Sequence, residues 1–241
     1  MKRLLASGSG PIFQISKAFR QGDLGMFHNP EFTMLEWYRP GFDHHDLMSE
    51  VDELLQSVLN TLPAERLSYA AVFEKILGLN PHTANEHELM QCARRHTTFT
   101  GELSERNAWL DLLMTHCIEP QIGQERPVFL YDFPTSQAAL AKIRQHETPP
   151  VASRFEVFFQ GIELANGFHE LQDANEQRKR FENDILYRKE HALPIVPIDE
   201  LFLAALQQGM PDCSGVALGV DRLIMLSLKK ESISDVMSFA F

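Results

Sequence analysis

Residues 19–40 read FRQGDLGMFHNPEFTMLEWYRP, and this stretch decides the fold. On either side of its middle the residue character alternates with a period of two, the signature of strands whose side chains point to opposite faces. Before it, Gln14, Ser16, Ala18 and Arg20 fall on one face, while Phe13, Ile15 and Phe19 occupy much of the other. After it, Phe32, Met34, Glu36 and Tyr38 share a face opposite Thr33, Leu35 and Trp37. The middle, Gln21 to Glu31, holds Gly22, Gly25, Asn29 and Pro30 and is not strand. The stretch predicts a long-looped antiparallel hairpin, one wall of which presents Arg20, Phe32, Glu36 and Tyr38 together.

Those four side chains make an unusual finish for a core. The guanidinium can fork onto a phosphate or carboxylate, the ring can stack on a base, and the carboxylate and phenol can receive an ammonium group. A solvated sheet face with one structural ion pair uses the same residue types, so periodicity alone leaves both readings open.

Two further stretches carry chemistry. RFEVFFQGIELANGFHEL, residues 154–171, contains Glu156, Glu163, Asn166, Phe168 and Glu170. Asn166, Phe168 and Glu170 alternate in phase, whereas Glu163 is out of phase with them. For all to face one site a bulge or break must fall between Glu163 and Asn166, and Gly167 permits it. Two carboxylates on neighbouring strands suit Mg2+, which takes hard oxygen ligands and completes its shell with phosphate and water. In GVALGVDRLIML, residues 215–226, Gly215, Ala217 and Gly219 leave one strand face without bulk, so a ligand can lie against the backbone. Asp221 and Arg222 then open a helix and bring a guanidinium to the edge of that face.

Composition bounds the rest. The chain has 241 residues, 44% of them hydrophobic, enough for one substantial core or one domain with an insertion. No apolar run of membrane-spanning length and no charged-then-apolar leader is present, which predicts no membrane partner and a cytoplasmic protein. Cys92, Cys117 and Cys213 lack metal-ligand spacing and fit a reducing compartment. The net charge of −11 disfavours broad, nonspecific contact with a nucleic-acid backbone. Ten histidines show neither HxxxH nor HExxH spacing, and most read as surface residues.

Along the chain, Asp43 caps a helix whose Leu47, Val51, Leu54, Leu55, Val58 and Leu59 form one apolar stripe. Ser68 caps a helix from Tyr69 to Leu77 that Gly78 closes, and helices over about 86–96 and 105–118 follow. Residues of about 60–122 therefore read as a helical insertion between two halves of a sheet domain. PVFLYDF (127–133) is a strand, and PTSQAALAK (134–142) predicts a helix capped by Thr135 or Ser136. Strands over 154–159 and 161–171 join at a Gln160-Gly161 turn, a charged helix covers about 173–191, and a short helix spans 199–208. This order is not βαβ alternation. It predicts the α+β class, an antiparallel sheet flanked by helices.

FR followed by HNPEFTM-x-E-x-Y resembles motif two of the class II lysyl-tRNA synthetases. The form LEWYRP, with Trp37 and Arg39-Pro40, is more similar to that of their shortened paralogues, the elongation factor P lysine ligase family. GVALGVDRL resembles motif three, and the resemblance runs from Lys2 to about Leu228. It implies the class II aminoacyl-tRNA synthetase catalytic fold across residues 1–241, lacking the family's N-terminal segment, which carries a strand, the dimer-forming motif one and an acidic residue. A homodimer is the assembly it implies.

The implied chemistry is ATP-dependent activation of lysine or β-lysine as an aminoacyl-adenylate, then ligation to a lysine of elongation factor P, with ATP and Mg2+ as cofactors. Arg20 and Arg222 are the implied catalytic residues. Asp23, His28, Asn29, Phe32 and Gly219 join them around ATP. Glu36, Tyr38, Asn166, Phe168, Glu170 and Ala217 are the implied substrate-binding residues, and Glu156 and Glu163 the metal ligands. Two departures stand out. Gly22 replaces the usual glutamate of motif two, so a contact with the adenine amino group is either lost or shifted to Asp23. Ala217 replaces the middle glycine of motif three in lysyl-tRNA synthetases, and its methyl favours a displaced amine as in β-lysine, with a leverage of about 1–3 kcal/mol. The alternatives are a lysyl-tRNA synthetase core that charges tRNA-Lys and an inactive ATP-binding or regulatory paralogue.

Overall fold

The computed structural model describes residues 1–240; the last residue of the expected 1–241 domain lies outside the described residues. A short helix, α1 (Lys2–Ala6), leads into the hairpin of β1 (Ile12–Phe19) and β2 (Glu31–Pro40). After α2 (His44–Leu59) come β3 (Glu65–Ser68), α3 (Tyr69–Leu77), α4 (Glu86–His96), α5 (Arg106–Leu113) and β4 (Val128–Pro134). The chain continues through β5 (Ile143–Arg144), β6 (Val151–Phe159) and β7 (Ile162–His169), then α6 (Ala174–Glu190), α7 (Glu200–Gln208), β8 (Cys213–Gly219) and α8 (Val220–Ser227).

The strands form one sheet in the order β1-β2-β8-β7-β6-β4-β3, with β5 paired to β6. Every pairing is antiparallel except β3 with β4, so the sheet is mixed at one edge. The α+β class therefore holds, with that one parallel pair added. The expected helical insertion is not wholly helical either, because its first ordered segment is β3. Four residues, Glu65 to Ser68, are too few to show a period, and the sheet edge supplies their partners.

Local signals set the helix ends. Asp43 accepts from the backbone N–H of His45 and Asp46, and Asp46 reciprocates to Asp43 in a capping box. Ser68 accepts from Ala71 N–H at the start of α3, and Gly78 ends it with a φ of 64° that favours glycine. At the β6–β7 turn Gln160 and Gly161 have φ of 52° and 75°, the pair of left-handed residues a two-residue hairpin turn demands.

The expected helix over 134–142 does not form. Thr135–Gln137 make a single 3-10 turn, and the backbone then turns through Ala139 at φ 47° to bond the sheet. Lys142 N–H donates to His169 O at 2.8 Å and Ser153 N–H to Lys142 O at 2.9 Å. These sheet bonds outweigh the helix propensity of the alanines. The helix expected over 105–118 is α over Arg106–Leu113 and widens to a π turn over Met114–Ile118.

On one face of the sheet, Leu47, Met48, Val51 and Leu55 of α2 are fully buried against Phe129, Phe155, Val157, Leu164, Val216 and Leu218. Each such side chain contributes about 1.5–3 kcal/mol by burial. A second core packs α3, α4 and α5 around Phe73, Trp109 and Leu110. A third joins α1 to α7 through Leu5, Leu203 and Leu206, with Tyr38 and Cys213 of the sheet. With α2 covering one face, the middle of the opposite face is left for chemistry.

Candidate functional site

Register builds the site. Gln14 of β1 pairs with Glu36 of β2, Glu36 with Ala217 of β8, Ala217 with Asn166 of β7, and Asn166 with Glu156 of β6. One row of side chains thus crosses five strands. A parallel row runs Ile12, Tyr38, Gly215, Phe168, Arg154. Because β8 contributes only Gly215, Ala217 and Gly219 on this face, the floor between the rows stays low.

The register shifts between β6 and β7 at one point. Val157 pairs with Ala165, but Phe158 pairs with Glu163, so Leu164 is extra. Leu164 and Ala165 are consecutive buried residues, while Glu163 and Asn166 are half-buried on the site side. This is the bulge that the phase mismatch demands, and it falls between Glu163 and Asn166. It sits at Leu164 rather than at Gly167.

Two cavities open along the face. The first, of about 260 Å3, is lined by Arg20, Asp23, His28, Asn29, Phe32, Glu163, Gly219 and Arg222, with Phe27, Thr33 and Asp221 among the others. The second, of about 350 Å3, is lined by Lys2, Glu36, Tyr38, Glu170 and Gly215. Met34, Asn166, Phe168 and Ala217 belong to both. Of the residues to which the resemblance gives a site role, Glu156 alone lines neither cavity: it is held to Asn166 by register and hydrogen bond.

The first cavity brings two guanidiniums, Arg20 and Arg222, together with the carboxylates of Asp23, Glu163 and Asp221. Arg222 Nε donates to Phe27 O at 3.0 Å and Nη1 to Glu163 O at 2.7 Å, which fixes its guanidinium to both the hairpin loop and the bulge. Arg20 donates to Asp23 Oδ2 at 3.1 Å, and its guanidinium carbon stands 5.7 Å from the centre of the Phe32 ring. Burial first, then Arg222 and, more weakly, Arg20 hold the His28 imidazole below its ordinary pKa, against the opposing pull of Asp23 and Glu163. Asp221 Oδ2 accepts from Thr33 N–H at 2.5 Å and ties α8 to β2.

The second cavity is anionic. Tyr38 Oη donates to Glu36 Oε1 at 2.5 Å, and Gln14 Nε2 donates to Glu36 Oε2 at 3.2 Å. Burial, with Glu170 and Glu36 adding, pushes the Tyr38 phenol far above its ordinary range, so it is a donor and never a phenolate. Glu170 is 1% exposed, and Lys2 Nζ lies 2.6 Å from its Oε2. A Cβ on Gly215 would meet the Tyr38 ring at 2.3 Å and Glu170 Oε1 at 2.8 Å, so only glycine lets these groups share the cavity.

Glu156 Oε1 accepts from Arg154 Nη2 and, at 3.2 Å, from Asn166 Nδ2, which leaves the buried Asn166 Oδ1 unpartnered. Burial raises the Glu156 carboxyl above the ordinary range; Arg154 opposes this, while Glu163 and Glu119 add to it. Two mutually repelling carboxylates with no third acidic ligand suit a hard cation that takes its other oxygens from phosphate and water. Among the described residues no group of three or more His, Cys, Asp or Glu forms a full metal cage.

Sequence reasoning missed several participants. Arg154 stands two residues before Glu156 on the same strand face, and that spacing is its only signal. Phe27 acts through its carbonyl, which carries no side-chain code. Lining neither cavity, and unlike the surface position expected of most histidines, His44 is 3% exposed and lies 3.4 Å from Asp132 Oδ1, with Arg144 donating to it at 3.0 Å.

The model for tRNA synthetases class II (D, K and N) matches residues 1–241. The chain is 57% identical over 240 residues to elongation factor P--(R)-beta-lysine ligase of Haemophilus influenzae (strain PittGG), covering 100% of this chain and 74% of that one. It is 52% identical over 241 residues to the protein of the same name from Pseudoalteromonas translucida, and 53% to that from Salmonella arizonae, in each case across 99% of this chain and 74% of the relative.

Proposed function

The chain belongs to the family of class II tRNA synthetases of the D, K and N type, and on that premise we propose that it is an ATP-dependent ligase which activates a lysine-type substrate, (R)-β-lysine foremost, and joins it to a lysine of elongation factor P. The observation that carries this reading is the shared wall. A hollow that presents two guanidiniums, Arg20 and Arg222, and one walled by Glu36, Tyr38 and Glu170 meet at Met34, Asn166, Phe168 and Ala217, so a triphosphate in the first and an ammonium-bearing acid in the second meet end to end.

In this reading Phe32 stacks on adenine and Asp23, His28 and Asn29 close the loop over the nucleotide, with Gly219 beneath it. Glu36, Tyr38 and Glu170 receive the ammonium groups, and Asn166 Oδ1, unpartnered beside the shared wall, orients the end that reacts. The substrate carboxylate attacks the α-phosphorus of ATP. A new P–O bond forms as the bond to the bridging oxygen of the β-phosphate breaks, and pyrophosphate leaves. The nucleophile is already an anion, so no general base is needed, and catalysis is alignment plus charge neutralisation by Arg20 and Arg222. Glu163 and Glu156 would hold Mg2+, which when bound neutralises phosphate charge. The acceptor amine then attacks the acyl carbon, AMP leaves, and the amine loses its proton to solvent.

Among the described residues no helix is long and apolar enough to cross a membrane, which is compatible with work on a cytoplasmic acceptor. The test is ATP–pyrophosphate exchange with β-lysine against α-lysine, followed by transfer to purified elongation factor P or tRNA-Lys. Preferential exchange with β-lysine and labelling of the protein acceptor support the proposal. Preference for α-lysine with charging of tRNA overturns it in favour of a tRNA synthetase core, and no ATP binding at all favours an inactive paralogue.

A further inference from the structure

Lys2 is the cation that the proposed amine pocket does not need if its task is only to attract ammonium groups. It projects from α1, its side chain is 15% exposed, and its Nζ lies 2.6 Å from Glu170 Oε2 on the wall of the second cavity. The other carboxylate oxygen, Oε1, is the one a Cβ on Gly215 would strike. It therefore faces the floor of the pocket. The two oxygens of Glu170 are divided between Lys2 and the cavity.

We propose that Lys2 is a positioning residue for the amine end of the substrate. By holding one oxygen of Glu170 it keeps that buried carboxylate charged and turned so that the other oxygen receives a substrate ammonium. The inference rests on the reading of the second cavity as an amine pocket.

The surroundings make such help necessary. Glu170 faces Lys2 from α1, Tyr38 and Glu36 from β2, and Cys213 from β8; the neighbouring His169, Asp212 and Lys142 pair with one another nearer the surface. Burial and Glu36 both push the carboxyl upward, and Lys2 is the group that pulls it down. Without that ammonium burial and Glu36 act unopposed on Glu170, favouring its protonated form, which is a poor acceptor for a cation. The alternative is that Lys2 mimics the substrate amine and blocks the pocket, and the two make opposite predictions.

The experiment measures binding of β-lysine and of α-lysine, in the presence of ATP, to the wild-type chain and to Lys2→Met and Lys2→Arg. ATP binding alone serves as the check on folding. Positioning predicts that Lys2→Met loses about tenfold or more in amino-acid affinity near pH 7, that the loss narrows as pH is raised and Glu170 ionises unaided, and that Lys2→Arg recovers most of it. The ratio of variant to wild type cancels titration of the ligand itself. Tighter binding by Lys2→Met, or a loss that does not change with pH, overturns the inference. Where Lys2→Met fails to bind ATP, Lys2→Met/Glu170→Gln replaces it: binding equal to that of Glu170→Gln alone supports the pair acting as one unit, and a further loss overturns it. Wild-type protein that binds ATP but neither amino acid removes the amine pocket and the inference with it, whereas wild-type binding with an unaffected Lys2→Met leaves the pocket standing and removes the inference alone.

Discussion

Arg222 Nη1 donates to the main-chain carbonyl of Glu163 at 2.7 Å, joining the first turn of α8 to the bulged strand β7. The contact sets the guanidinium and the Glu163 carboxylate beside one cavity by way of backbone, which no side-chain substitution at Glu163 removes. Arg222→Lys keeps the charge but loses the fork that reaches Phe27 O and Glu163 O together. Pyrophosphate exchange is expected to fall by about 100-fold or more for both Arg222→Lys and Arg222→Ala. Retention of exchange by the lysine variant would show that charge alone suffices.

Gly215→Ala and Gly167→Ala add one methyl to neighbouring strands on opposite faces. At Gly215 the new Cβ meets Tyr38 and Glu170, and at Gly167 it meets the Phe155 ring at 2.2 Å. Each is expected to cost about 1–3 kcal/mol in denaturant unfolding. Their effects on amino-acid binding should part: Gly215→Ala abolishes it, whereas Gly167→Ala, whose methyl points into the α2 core, leaves it within a few-fold at temperatures where the protein is folded.

Ala217 lies in register with Glu36 on one side and Asn166 on the other. Ala217→Gly deepens the shared wall by one methyl, and the preference between β-lysine and α-lysine in pyrophosphate exchange should move toward α-lysine by about 1–3 kcal/mol. An unchanged ratio would remove Ala217 from the discrimination.

Glu156 gives a pH signature. Its carboxyl is raised from 4.5 to about 7, chiefly by burial, so the folded protein binds more protons there than the unfolded chain. Its contribution to stability is complete below 4.5 and is lost as pH rises through about 7. Glu156→Gln should flatten the fall in melting temperature across that window. Added Mg2+ should raise the wild-type melting temperature above it and do little for the variant.

The hairpin was legible because period two persisted through both strands, and α2 because Asp43 announces its start and Leu47, Val51 and Leu55 repeat along one side. The bulge was legible too, since Glu163 and Asn166 stand an odd number of residues apart yet both carry polar groups suited to one site. Its position was not, because Leu164 looks like any core residue and the kink depends on how β6 pairs with it. The turn after Thr135 escaped because alanine-rich sequence favours helix locally, whereas the bonds of Lys142 and Ser153 to the sheet are long-range. Lys2 escaped for a related reason: a lysine in a terminal helix has no pattern that points to a carboxylate 168 residues away. The site residues named from the resemblance gather around two adjoining cavities, save Glu156, which lines neither.

The wall common to both cavities has a consequence for inhibition. A single molecule that joins a nucleoside to a diamine through an uncleavable link can occupy both hollows at once, because the two adjoin along Met34, Asn166, Phe168 and Ala217, which line both. Tethering makes the second docking event intramolecular, so such a compound should outcompete either fragment by orders of magnitude.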